Sequence, residues 1–188
     1  MLNVLFEEFP DYVFVNKQRY SIETDFREWI RFAELADDDT VPWTIKANLM
    51  LGWYKECPDN IEDAIYALGD FLAAKSLYDE NGTSKKRSNN SKPAFSFQED
   101  AGCIYSAFID CYGLDLQRIS YMHWWKFKTL FDWLPEDTEI KQRIFYRTLD
   151  ANSIKDKEER KRVKRIQREI ALQKKRPLND YDIGDVFA

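Results

Sequence analysis

Histidine occurs once in the 188 residues, glycine and proline six times each and cysteine three times, and each scarcity closes off a class of function. A lone imidazole, His123, cannot build a metal centre of several histidines and leaves at most one ring for acid–base work. So few glycines and prolines disfavour a sandwich or barrel of many short strands and tight turns, which makes helices the expected element. No apolar run approaches the roughly 20 residues that span a bilayer. The stretch Met1 to Phe9 carries Glu7 and Glu8 where a signal peptide would be apolar, so the expected location is the cytoplasm. Cys57, Cys103 and Cys111 cannot all pair within one chain. Cys103 and Cys111 would stand about 12 Å apart along an intact helix, too far for a disulfide, so reduced, buried thiols are expected. Phosphate-binding GxxxxGK[ST] and GxGxxG loops, CxxC pairs and DxDxDG calcium loops are missing, and no serine or cysteine lies in a recognisable nucleophile motif. The reading is of a non-enzymatic protein without cofactor or metal.

What is present is core material. Hydrophobic residues make up 44% of the chain and aromatic residues 15%, enough to pack a domain and to exclude wholesale disorder. Tyr12–Val15 and Arg19–Ile22 are β-prone runs around a polar turn and predict a small hairpin. Thr24 suits the N-cap of a helix from about Asp25 to Ala36, with Phe26, Trp29, Ile30 and Ala33 at helical spacing. Pro42 fits the first turn of a second helix, whose Ile45, Leu49 and Trp53 repeat every four residues and which should stop near Cys57-Pro58. Asn60 caps a third, with Ile61, Ala64, Ile65, Leu68, Phe71, Leu72 and Leu77 as its stripe.

Glu80 to Pro93 replaces this periodicity with Asn-Gly and Ser-Lys-Lys-Arg-Ser and reads as a flexible loop. Beyond it, Ser96 or Phe97 should open a helix with core residues Ile104, Phe108, Ile109 and Tyr112 and a stop at Gly113. Further helices are expected over about Ile119–Trp133, about Glu136–Leu149 with Ile140, Ile144 and Phe145 on one side, and Asp156–Lys174. The last of these has a narrow stripe of Val163, Ile166, Ile170 and Leu172 and should be largely wet. The predicted fold is therefore mainly α: a compact multi-helix domain over 1–176 with an N-terminal β-hairpin, a flexible insertion at about 80–94, and a loose tail over 177–188.

The candidate sites are for binding. Net charge is -5, yet acids gather early, as in Asp37-Asp38-Asp39, while Lys155 to Arg176 is densely basic. Arg160, Lys161, Lys164, Arg165 and Arg168 could meet an acidic protein surface or, less consistently with the mixed signs along that helix, nucleic acid. Adjacent helical residues point about 100° apart, so Trp124 and Trp125 imply either a central helix or one exposed indole able to anchor a partner. His123 would share a face with Phe127 and Leu130 and reads as a packed, hydrogen-bonded ring. The pairs Glu62-Asp63, Glu99-Asp100 and Glu136-Asp137 each lie where a helix begins and suit its positive end.

Linked motifs carry a resemblance. Tyr20-Ser21-Ile22 is followed by Thr24-Asp25-Phe26-Arg27-Glu28-Trp29-Ile30-Arg31-Phe32. Later come Asp100, Ile104-Tyr105-Ser106-Ala107-Phe108, Tyr112-Gly113-Leu114-Asp115-Leu116, His123-Trp124-Trp125-Lys126-Phe127 and Tyr146-Arg147. From about Asp11 to Leu172 the chain resembles the bacteriophage gene-product-fifteen family, encoded among the tail genes of phages of Gram-positive bacteria. That resemblance implies a gene position between tail-tube and tape-measure genes, where tail assembly chaperones are encoded. Such a chaperone coats the long helical tape-measure protein and leaves as tube subunits polymerise. The implied partners are the tape-measure protein, then tail-tube protein and further copies of this chain, in the host bacterial cytoplasm, with no membrane partner. A tail-completion protein retained in the virion is the alternative implied place, and a nucleic-acid binder using the basic terminal helix is the other reading.

Overall fold

Asn16 and Lys17 both adopt positive φ, 51° and 68°, the conformation of a two-residue turn whose twist matches the strands it joins. In the computed structural model, which describes residues 2–77 and 94–173, that turn links β1 (Tyr12–Val15) to β2 (Gln18–Ser21), antiparallel, with Tyr12 opposite Ser21 and Val15 opposite Gln18. Val13 and Val15 are buried and Phe14 is exposed, the alternation of a half-covered strand. The rest is helical: α1 (Phe26–Ala36), α2 (Trp43–Met50), a 3₁₀ turn at Leu51–Trp53, α3 (Ile61–Leu72), α4 (Ala101–Tyr112), α5 (Trp124–Asp132), α6 (Glu139–Thr148) and α7 (Lys157–Glu169). The described residues are thus mainly α with one small hairpin. The expected loop at Glu80–Pro93 and the tail from Pro177 lie outside the described residues.

Two compact units divide the chain. The first is the described part of Met1–Lys86 together with Ser120–Thr129, and the second is the described part of Arg87–Ile119 together with Leu130–Ala188. In the first, Phe26, Trp29 and Phe32 of α1 and Leu68 and Phe71 of α3 are buried. Trp29 lies 4.6 Å from Phe71, and Phe26 stacks on Phe127 at 4.9 Å, separations at which aromatic pairs attract beyond their buried area. In the second, Ile104 and Phe108 of α4, Ile140 of α6 and Val163 of α7 form the interior. Gly113, at φ 64°, ends α4: its N–H reaches the Ile109 carbonyl at 2.8 Å and Leu114 N–H reaches that of Phe108 at 3.2 Å.

Several element boundaries differ from the sequence expectation. Asp25, not Thr24, caps α1, its carboxylate accepting from Arg27 N–H at 2.9 Å, while the Thr24 hydroxyl pairs with Tyr121 OH at 2.7 Å. The α3 helix stops at Leu72 because Ala74 turns left-handed at φ 52°, which leaves buried Leu77 beyond it. The α4 helix starts at Ala101; Ser96 instead caps the preceding turn, accepting from Gln98 and Glu99 N–H. The α5 helix starts at Trp124, not near Ile119, because Met122 and Trp124 pair in extended form with Phe26 and Thr24 (Phe26 N–H to Met122 carbonyl 2.9 Å, Trp124 N–H to Thr24 carbonyl 2.8 Å). The α6 helix begins at Glu139 after Thr138, and α7 ends at Glu169. Cys57 and Cys111 are exposed and Cys103 half-buried, all three free, against the expectation of buried thiols.

Candidate partner-binding surfaces

The His123-Trp124-Trp125 cluster belongs to the first unit and is interior. Trp124 and Trp125 are both buried, and their indole N–H groups donate to the Leu72 carbonyl at 2.9 Å and the Phe71 carbonyl at 2.8 Å. These carbonyls lie at the end of α3, where backbone acceptors lack helical partners, so the tandem tryptophans serve as a C-terminal cap for that helix. Of the two sequence readings, the central helix describes α5, with both indoles buried.

His123 stands immediately before α5 and caps it. Its Nδ1 accepts from Trp125 N–H at 3.0 Å, and Nε2–H donates to the Pro10 carbonyl at 3.1 Å, with Phe9 stacked on the ring at 4.9 Å. Both nitrogens are occupied only in the neutral Nε2–H tautomer. Burial lowers the imidazole pKa, against the opposing pull of the Pro10 carbonyl and Asp11. A ring so placed has no free nitrogen for proton transfer.

The basic residues of α7 lie in the second unit and are laced with acids. Lys161 pairs with Glu158 at 2.8 Å, Arg162 with Glu159 at 3.5 Å, and Arg165 with Glu169 at 4.0 Å. Arg160 turns back to the Ile154 carbonyl at 3.0 Å, and Lys164 reaches the Asn152 side-chain oxygen at 3.0 Å. Of the five cations singled out, Lys161, Arg165 and Arg168 are exposed and Arg160 and Lys164 half-buried. Carboxylates placed three or four residues away cancel much of the field a phosphate backbone would need.

The carboxylate pairs separate into two kinds. Glu62 and Asp63 occupy the first turn of α3, and Glu136 and Asp137 lie in the turn before α6, as helix-end electrostatics requires. Asp100 is different: it is fully buried. Arg147 donates to both of its oxygens (2.6 and 3.0 Å), Arg143 to one (3.1 Å), and the Ser96 N–H to the other (3.0 Å). Burial opposes ionisation, but the Arg147 guanidinium, the Ser96 N–H and Arg143 together outweigh it and hold the carboxyl below its usual range. Arg147 also donates to the Ile170 carbonyl at 2.7 Å, at the end of α7, and to that of Ala94 at 3.3 Å. The trio is a fully satisfied internal tie; among the described residues no buried side-chain nitrogen or oxygen lacks a hydrogen-bond partner.

The α2 helix turns apolar side chains outward. The four-residue repeat of Ile45 and Leu49 does not mark the buried side: both are half exposed, and Lys46, Ala47 and Met50 are buried. The cause is Lys46, whose ammonium turns inward to the Ala36 carbonyl at 3.0 Å, at the C-terminal end of α1, where a cation meets the unpaired carbonyls. That inversion turns Ile45 and Leu49, one helical turn apart, to the opposite side, and Trp43 at the start of the helix is 62% exposed. Thr44 and Asn48 share that outer side with Ile45 and Leu49, and α2 is covered on the Lys46, Ala47 and Met50 side. Covering each exposed aliphatic chain would be worth about 1 kcal/mol. The sequence did hold a signal: from Val41 to Tyr54, Lys46 is the only charged residue.

Among the described residues no group of three or more His, Cys, Asp or Glu side chains could hold a metal ion, and no helix is long and apolar enough to cross a membrane. Compared with known proteins, residues 5–172 match a family model described as Bacteriophage Gp15 protein. No curated protein and no solved structure matches the chain.

Proposed function

Since the chain belongs to the Bacteriophage Gp15 protein family, we propose that it is a tail assembly chaperone that binds the tape-measure protein in the host cytoplasm and does no chemistry of its own. The observation that carries the reading is α2, a helix with half-exposed Ile45 and Leu49 on one side and core contacts on the other. A client whose helices carry apolar stripes needs a reversible cover, and two or three half-exposed side chains supply a contact weak enough to be displaced when tube subunits arrive. The internal roles of His123, Trp124, Trp125 and Asp100 support a binding rather than a catalytic reading, because each is engaged in holding the fold.

Co-expression with the tape-measure protein of the same phage, followed by co-purification and light scattering, tests this. Increased solubility of the tape measure in a stable complex is the expected outcome, with the copy number read from the mass. A folded chain that leaves the tape measure insoluble, or that is found in stoichiometric amount in purified virions, would replace the chaperone reading with a retained tail component.

A further inference from the structure

We propose that the free edge of β1 pairs with β1 of a second copy of this chain, antiparallel about Val13, to make a dimer joined through one four-stranded sheet; this goes beyond the chaperone reading and does not depend on it. The observation is a set of backbone groups without partners. Ile22 N–H donates to the Asp11 carbonyl at 3.0 Å, which makes Asp11 and Ile22 a hydrogen-bonded pair. By the alternation of an antiparallel ladder, Val13 with Tyr20 and Val15 with Gln18 are such pairs too, and Tyr12 and Phe14 turn their N–H and C=O groups away from β2. No strand of the described residues lies on that side, and none of these four groups has a hydrogen bond. Buried backbone groups are almost always paired, so the four face solvent, as does the Phe14 ring, 61% exposed. Tyr12–Val15 also lacks the charge, proline or bulge that ordinarily blunts an open edge.

The register names the occupant. Turned through a two-fold axis at Val13, a second β1 sets Tyr12 of each copy opposite Phe14 of the other. Both become hydrogen-bonded pairs, so the four groups of each copy are satisfied together. The Tyr12 and Phe14 rings, edge to face at 5.4 Å within one copy, lie on the side opposite buried Val13 and Val15 and meet the same rings of the other copy in cross-strand pairs. Charge favours the antiparallel sense. Exposed Glu8 and Asp11 precede the strand and exposed Lys17 follows it in the turn, so the acidic approach of each copy runs beside the cation of the other. Asp11 is already paired with Arg19 at 3.0 Å, which leaves Glu8 for Lys17. The far edge of the hairpin is engaged, since Lys55 N–H donates to the Ser21 carbonyl at 3.0 Å and Ile22 bridges Tyr54. Association therefore closes at two copies instead of running on as a fibre. A four-residue strand gives a small interface and a reversible dimer.

The test follows mass by sedimentation and backbone amide exchange by NMR, on the full chain from micromolar to millimolar concentration. The Val13 and Val15 amides should be protected throughout, whereas those of Tyr12 and Phe14 should exchange fast in dilute solution and slow down as the mass doubles. Phe14→Pro removes an outward N–H without touching the ladder to β2 and should weaken the dimer at least about tenfold. Phe14→Lys, at an exposed position, should do the same with the melting temperature of the dilute protein unchanged, which covers the case in which proline disturbs the hairpin. Lys17→Glu should weaken the dimer a few-fold, and adding Glu8→Lys should restore it. A chain that stays monomeric at millimolar concentration overturns the proposal. So does a dimer in which the Tyr12 and Phe14 amides still exchange fast, or one that both Phe14 variants form as well as wild type. Protection of those amides by the tape-measure protein, in a complex holding one copy of this chain, would assign the edge to the client instead.

Discussion

The Asp100 carboxylate meets two guanidiniums and a backbone N–H in an interior position, so its charge is worth keeping only while those partners remain. Asp100→Asn keeps the shape and removes the charge, which leaves the nearly buried Arg147 without a counterion, and should cost about 3 kcal/mol at pH 7. The sign of its pH dependence follows from the lowered pKa. Stability from this group is complete above its unfolded value, about 3.8, and is lost as pH falls through the lower folded value, so wild type and variant should begin to converge below about pH 4. Urea unfolding at pH 7 and pH 3 measures both, and a gap that persists unchanged at pH 3 would contradict the assignment. His123 acts in a higher window. Its folded pKa is also lowered, so its contribution is complete above about 6.5 and falls away as the ring takes a proton below that. His123→Asn retains an acceptor for Trp125 N–H but loses the Pro10 bond and the Phe9 stack. It should cost about 1–2 kcal/mol at pH 7 and flatten the decline between pH 7 and 5 that the wild type shows in thermal melts.

Where the chain's own neighbours decide an element, the sequence was legible. Asn60 caps α3 through Asp63 N–H at 3.2 Å, Gly113 ends α4, and the Asn16-Lys17 turn closes the hairpin, each within a few residues of its signal. Where the decision is made far along the chain, it was not. The start of α5 depends on pairing with Thr24 and Phe26, nearly a hundred residues earlier, and the inverted face of α2 depends on a lysine reaching ten residues back to Ala36. Periodicity reports which residues are apolar; it does not report that a buried cation outranks two aliphatic chains in choosing which side turns in. Lys46→Met isolates that choice, because it keeps the stem and removes the cap. It should cost about 1–2 kcal/mol in chemical denaturation, and Lys46→Ala more, since the packing of the stem is lost as well. A Met variant as stable as wild type would mean that the ammonium on Ala36 does not set the orientation.

The path of the chain through its two units sets how it can be cut. Ser120–Thr129 belongs with the first unit although some thirty residues or more of the second precede it and the remainder of the second follows. That short return supplies Met122, Trp124, Trp125 and Phe127, all buried against α1 and α3, together with the ring that caps α5. Burying four such side chains is worth on the order of 10 kcal/mol, comparable with the whole stability of a small domain. A fragment of residues 1–77 retains α1, α2 and α3 but exposes Phe26 and Phe71 where the returning segment lay. It should therefore show no cooperative thermal transition and no near-ultraviolet dichroism from fixed aromatic rings, while the full chain shows both. Helical signal in the far ultraviolet does not distinguish the two, since short amphipathic helices persist in collapsed chains. A fragment that melts cooperatively with native-like aromatic dichroism would show that α1 to α3 close a core without the returning segment, and that Trp124 and Trp125 add to that core rather than complete it.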